Sequence, residues 1–257
     1  MRKSCSNKGV GAMPRQKYTE IYRALKDRIE AGAYPVGQLL PSENTLIAEF
    51  DCSRNTVRRA VAGLVRDGYV QTRQGWGVCN IFQPIEPSAY TMGTIESFAE
   101  TSRRTGQHSA TRVVGFSLCT AGEELARRSG FAVGTELFYI QRIHDLDGVP
   151  RIFNHNYFRR DCMPGLTARI AAGSIYRYLE EEQGMSIVTS KRTITVERAT
   201  EEDRKWLELG EYNCLAVLSS QTYNSDGILF EYTQSRHYPG IFRFQDNAVR
   251  TPEGRRA

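Results

Sequence analysis

Two serine-led segments with only two residues between them restrict what this chain can fold into more than any other feature. Ser42 is followed by Leu46, Ile47 and Phe50; Asp51-Cys52 comes next, and Ser53 then precedes Val57, Ala60, Val61 and Leu64. A serine hydroxyl accepts a hydrogen bond from a first-turn N–H, so Ser42 and Ser53 each predict a helix N-cap. Apolar side chains three and four residues apart fall on one helical face, which gives each helix a buried stripe. Two short helices joined so tightly make a helix-turn-helix.

The flanking residues complete the unit. Upstream, Ile21, Tyr22, Leu25 and Ile29 predict an amphipathic helix over 18–31, ended by Gly32 and Pro35. Downstream, Gly68 stops the third helix, and residues 69–72 and 78–81 read as strands around Arg73-Gln74-Gly75-Trp76-Gly77, a hairpin with a glycine-rich tip. Three helices and a hairpin make a winged helix-turn-helix over 18–82, preceded by a flexible basic tail over 1–17. The third helix carries an anomaly, because Arg54 opens it and Arg58 lies one turn on. A helix N-terminus is already positive, and like charges four apart repel, so an anion outside the helix is expected to offset the conflict. In a DNA major groove, Arg54, Asn55 and Arg58 would face base edges and phosphates, with the Ser53 and Thr56 hydroxyls adding backbone contacts.

Charge is distributed in keeping with that reading. Residues 1–80 hold 13 Lys and Arg against 7 Asp and Glu, whereas residues 81–257 hold 21 against 22. A basic module joined to a near-neutral one suits a polyanion partner. No apolar run is long enough to span a membrane and no secretory signal opens the chain, so a cytoplasmic protein is expected. The six cysteines at 5, 52, 79, 119, 162 and 214 lack C-x-x-C spacing, which predicts neither a metal site nor a disulfide framework. The four histidines at 108, 144, 155 and 237 have no metal-ligand or catalytic spacing. No cofactor and no catalytic residue are expected.

Residues 83–92, which include QPIEP, read as a linker. Beyond them helices are expected over 93–105, 121–128, 174–183 and 201–209. Strands are expected over 111–117, 137–145, 151–158, 187–196, 214–224 and 228–238, with Asp147-Gly148 and Asp226-Gly227 as turns. Interleaved helices and antiparallel hairpins define an α+β domain over 93–250, with a tail over 251–257. Within it, Ser174 heads an amphipathic segment and either caps a helix or opens a phosphate site at its N-terminus. Arg142 lies mid-strand among apolar residues, where it needs a salt bridge, solvent or a bound anion. Arg236 with Glu231 either binds ligand or forms a fixed ion pair.

The segments LPSENTLIAEF, CSRNTVRRAVAGLVRDGYV and RQGWGV resemble the DNA-binding domain of GntR-type bacterial transcription regulators. The resemblance implies that Arg54, Asn55, Thr56 and Arg58 contact DNA, that Ser42 and Glu43 open the second helix, and that Gln74-Gly75 probe the minor groove beside Arg73. Asn44 stands where some relatives carry a DNA-reaching arginine; an amide there can still touch phosphate. Residues 93–250 resemble the UTRA ligand-sensing domain of the HutC branch, a fold similar to chorismate lyase. The resemblance rests on Arg142 with Asp147-Gly148-Val149-Pro150, on GSIYRYL at 173–179, and on EYTQSRH at 231–237. GTIESF at 93–98 and KRTITV at 191–196 are most similar to trehalose-operon repressors. This implies an effector-responsive homodimeric repressor of operator DNA, released by a sugar phosphate such as trehalose 6-phosphate. Thr94, Ser97 and Tyr176 are carried over as pocket residues. Two alternatives stand beside it: another effector or an activating response, and, more distantly, a lyase-like enzyme.

Overall fold

The computed structural model describes residues 14–83, 89–91 and 95–245. The chain divides between Glu86 and Pro87 into two compact units.

In the first unit, α1 (Pro14–Glu30), α2 (Glu43–Phe50) and α3 (Arg54–Arg66) are followed by the antiparallel hairpin β1 (Val70–Arg73) and β2 (Gly77–Asn80). Helix α1 starts at Pro14, inside the segment expected to be a flexible tail; proline suits the first helical position because the N–H it lacks has no partner there. Ile21, Leu25 and Ile29 of α1 pack against Leu46 of α2 and against Val57, Ala60, Val61 and Leu64 of α3, all buried. Gly63 lets α1 and α3 approach closely, since a Cβ there would lie 3.1 Å from the Tyr22 ring. The turn between α2 and α3 passes through Asp51, whose φ of 45° is left-handed, and the Asp51 N–H donates to the Ile47 carbonyl. The hairpin is held to the helices by pairing of Leu39 with Cys79.

The second unit is built on a six-stranded antiparallel sheet. Its members are β4 (Ser109–Thr120), β5 (Glu136–Leu146), β6 (Val149–Arg159), β7 (Ile187–Arg198), β8 (Cys214–Asn224) and β9 (Leu229–His237), in spatial order β4-β5-β6-β9-β8-β7. Two further strands, β3 (Ala89–Thr91) and β10 (Arg243–Gln245), pair in parallel. Strand β3 lies within the stretch expected to be a linker; three residues paired with a segment 150 positions away leave no periodic trace in sequence. Ile140 and Phe158 pack under α6 (Ala168–Ala171) and α7 (Ile175–Arg177). Ile143, Phe153, Leu215 and Val217 pack against Leu207 and Leu209, which follow α8 (Glu201–Trp206). The sheet is thus covered on both faces, and Leu125 of α5 (Glu123–Ser129) packs against Leu137 and Tyr232. Helix α4 spans Phe98–Thr105, shorter than the expected 93–105, because Ser97 and Glu100 form a reciprocal capping box that fixes its start. The helix expected over 174–183 changes character after Arg177, where residues Tyr178–Glu182 form a wide turn closed by Gln183 N–H donating to the Tyr178 carbonyl.

Candidate nucleic-acid interface and effector pocket

Both serines at the helix-turn-helix act as caps. Ser42 Oγ accepts from Thr45 N–H at 3.2 Å and Ser53 Oγ from Thr56 N–H at 3.3 Å. The Thr56 hydroxyl also lies 2.8 Å from Ser53 Oγ, so part of its bonding capacity is used inside the turn. Arg54, Asn55 and Arg58 are exposed at the open end of α3, while Val57 and Ala60 on its other side are fully buried.

The structure supplies a counter-charge that the sequence reading placed only outside the protein. Arg58 Nε donates to both Glu43 carboxylate oxygens at 3.0 and 3.2 Å, Arg54 Nε lies 4.0 Å from the same carboxylate, and Arg54 Nη2 donates to Asn44 Oδ1 at 3.0 Å. One carboxylate, Glu43, thus lies near both guanidinia. Glu43 and Asn44, both expected at the DNA, thus each accept from an arginine of α3. Arg59 instead stacks over the Tyr18 ring at 4.0 Å and belongs to the packing of α1 on α3. At the wing tip Arg73, Gln74 and Gly75 are exposed, and Gly75 has a φ of 78°. Trp76, part of the expected tip but not among the expected contacts, is 76% exposed beside them.

The second unit holds an open cavity of about 340 Å³, lined by α4 and α7 on one side and by the sheet on the other. Side-chain alternation puts Arg142 and His144 of β5, Asn154 and Asn156 of β6, and Glu231, Thr233 and His237 of β9 on the floor. Arg142 Nε donates to Asn156 Oδ1 at 2.8 Å, Asn156 Nδ2 to Thr233 Oγ1 at 2.7 Å, and Thr233 Oγ1 to Glu231 Oε1 at 2.7 Å. The Tyr176 hydroxyl closes the chain by donating to Glu231 Oε2 at 2.5 Å. Burial lowers the Arg142 pKa to about 10, against the pull of Glu231 and Tyr176, yet leaves it a cation near neutral pH. No carboxylate lies within ion-pair distance of Arg142 among the described residues. The Asn154 amide lies 2.9 Å from His144 Nε2 and Thr111 Oγ1 lies 2.9 Å from His144 Nδ1, so each ring nitrogen has a polar neighbour. Burial holds His144 well below its usual pKa and brings His237 to about 3, so both are neutral.

The sequence-predicted pocket residues divide. Arg142, Tyr176 and Glu231 meet in the cavity, and Ser97 and Ser174 line it. Both serines are caps as well: Ser97 Oγ accepts from Glu100 N–H and Ser174 Oγ from Arg177 N–H, each at 3.3 Å. Thr94 lies outside the described residues. Arg236 is a correction: it does not line the cavity and does not meet Glu231. Arg236 and Glu231 are five residues apart on one strand and so point to opposite faces. Arg236 Nε donates to Asp203 Oδ1 at 2.7 Å, Nη2 to Asp203 Oδ2 at 3.0 Å and Nη1 to Glu197 at 2.7 Å. Burial opposes ionisation of Asp203, but Arg236 and Thr200 outweigh it and hold the carboxyl below its usual range. Arg192 and His144 line the cavity and were not predicted; alternation along their strands with Ser190 and Arg142 was the available signal.

Residues 17–79 match the family described as bacterial regulatory proteins, gntR family, and residues 104–243 match the UTRA domain. With this fold and these two sites, the chain belongs to the GntR-type transcription regulators that carry a UTRA domain. Among its relatives, the HTH-type transcriptional regulator TreR of Bacillus subtilis (strain 168) is 33% identical over 234 residues, which cover 91% of this chain and 98% of TreR. The regulator GmuR of the same organism is 25% identical and covers 86% of this chain and 93% of its own length. The crystal structure of the possible transcriptional regulator YydK from Bacillus subtilis has a TM-score of 0.74 at 19% identity, covering 91% of this chain and 99% of that one, and shares the fold. The effector binding domain of the B. subtilis trehalose repressor (TreR) is 34% identical, with a TM-score of 0.50, covering 55% of this chain and 99% of that domain. No helix among the described residues is long and apolar enough to cross a membrane.

Proposed function

We propose that this regulator is a cytoplasmic, homodimeric repressor that leaves its operator when a small phosphorylated sugar, such as trehalose 6-phosphate, enters the second unit. Two copies of α3 would read a palindrome whose half-sites lie about one helical turn apart. Arg54 and Arg58, both beside Glu43, would meet guanine edges or phosphates, with Asn55 between them and the wing beside the minor groove.

The observation that carries the effector reading is Arg142, a cation on the cavity floor with no carboxylate at ion-pair distance among the described residues. A phosphate satisfies such a group, and the hydroxyl-bearing chain through Asn156, Thr233, Glu231 and Tyr176 suits a sugar. The trehalose assignment leans on the likeness to TreR. His144 and His237 are held neutral, and Tyr176 is raised by burial and by Glu231, so none is poised near pH 7 as a general base.

The ligand acts by preferring a state unsuited to the operator, and a coupling of about 1–3 kcal/mol weakens DNA binding roughly 5- to 150-fold. The test is fluorescence anisotropy on a palindromic duplex selected with the purified protein. Trehalose 6-phosphate should weaken binding within that range; unchanged affinity would remove the effector assignment.

A further inference from the structure

A continuous polar row crosses the floor of the cavity. Strand pairing sets Arg192 on β7 opposite Ser220 on β8, Ser220 opposite Thr233 on β9, and Thr233 opposite Asn156 on β6. Arg142 on β5 completes the row by donating to Asn156 at 2.8 Å. All five side chains line the cavity. A guanidinium therefore stands at each end, with the two backbones four strand steps, roughly 19 Å, apart at normal strand spacing. The Tyr176–Glu231 pair rises between them.

Arg192 differs from Lys191 and Glu197 of its strand, and from the exposed Arg198, in lining the cavity. Lys191 points to the other face and lies over the Tyr223 ring at 5.2 Å, and Glu197 is paired with Arg236. Arg192 is half-buried in the cavity, with no carboxylate at ion-pair distance among the described residues. A planar guanidinium with five donors suits adjacent ring hydroxyls as well as anions. Arg192 and Arg142 rise from strands at opposite ends of the row, and Ser220, opposite Arg192, and Ser190 line the cavity with it.

We propose that Arg192 binds the end of the effector remote from its anionic group, so that the pocket selects an elongated phosphorylated sugar by holding it at two points. This rests on the reading of Arg142 as the anion site. The residue is a specificity determinant, distinct from the phosphate grip.

Isothermal titration of the full chain and of Arg192→Met, which keeps the length and removes the charge, separates these roles when trehalose 6-phosphate and inorganic phosphate are compared. The substitution should weaken trehalose 6-phosphate by about tenfold or more, the scale of one lost charge-assisted hydrogen bond, while inorganic phosphate binding stays within about twofold. Inorganic phosphate also reports that the variant is folded. An equal loss for both ligands would mean that Arg192 shares the phosphate grip, and no loss for trehalose 6-phosphate would mean that it contacts nothing; either overturns the proposal. If wild-type protein binds neither ligand, the anionic reading of Arg142 falls, and this proposal with it.

Discussion

At the residue scale, the helix-turn-helix carries a conflict between backbone and side chain that Glu43 partly relieves. Arg54 and Arg58 lie at the positive end of α3, and the Glu43 carboxylate near both lowers the repulsion. Arg54→Ala and Arg58→Ala should each weaken operator binding by about 1–3 kcal/mol where the contact is bidentate to a base, and less where it is to phosphate. Glu43→Gln should act oppositely on non-specific DNA: two released cations bind scrambled duplex more tightly, and the ratio of operator to scrambled affinity falls. Anisotropy titrations at one salt concentration measure all three. In the cavity, Arg142→Ala should bind operator with near wild-type affinity and lose its response to ligand. Loss of both together would assign Arg142 to folding.

At the element scale, the corrected residue makes its own prediction. Arg236 ties β9 to Asp203, which also caps α8 by accepting from Thr200 N–H at 2.8 Å. Removing one partner of a buried pair strands the other charge, so Arg236→Ala should cost about 3–5 kcal/mol in denaturant unfolding. A variant of normal stability that failed only to bind ligand would restore the original expectation. This contrast shows what was legible in the sequence. Helices α2 and α3 could be placed within a residue because caps and apolar spacing are local signals, and the strands of the main sheet followed from alternation and Asp-Gly turns. Arg142 stood out because a charge amid apolar neighbours is also a local anomaly. The partners of Arg236 lie 33 and 39 residues earlier in the chain, and strand β3 pairs with β10 across the whole second unit, so neither leaves a local trace. The compensation at Glu43 was hidden for the same reason, since it depends on how α2 crosses α3.

At the scale of the whole molecule, buried neutral histidines tie stability to pH. Burial depresses the folded-state pKa of His144 and His237, the latter to about 3, whereas an unfolded chain protonates histidine near 6.5. The unfolded state therefore binds more protons below pH 6.5. The stabilisation is complete above that pH and is lost as pH falls, at about 1.4 kcal/mol per unit for each histidine until its folded pKa is reached. Unfolding at pH 7, 6 and 5 should show the decline, and His237→Gln should remove its share of the slope. The larger claim is that one chain links a cation-lined cavity to a DNA-reading helix. Linkage requires that operator change ligand affinity by the same factor as ligand changes operator affinity. The most direct measurement is the dissociation constant of trehalose 6-phosphate with and without saturating operator duplex. The account predicts roughly 5- to 150-fold weaker ligand binding on the operator; equal affinity in both conditions would contradict it.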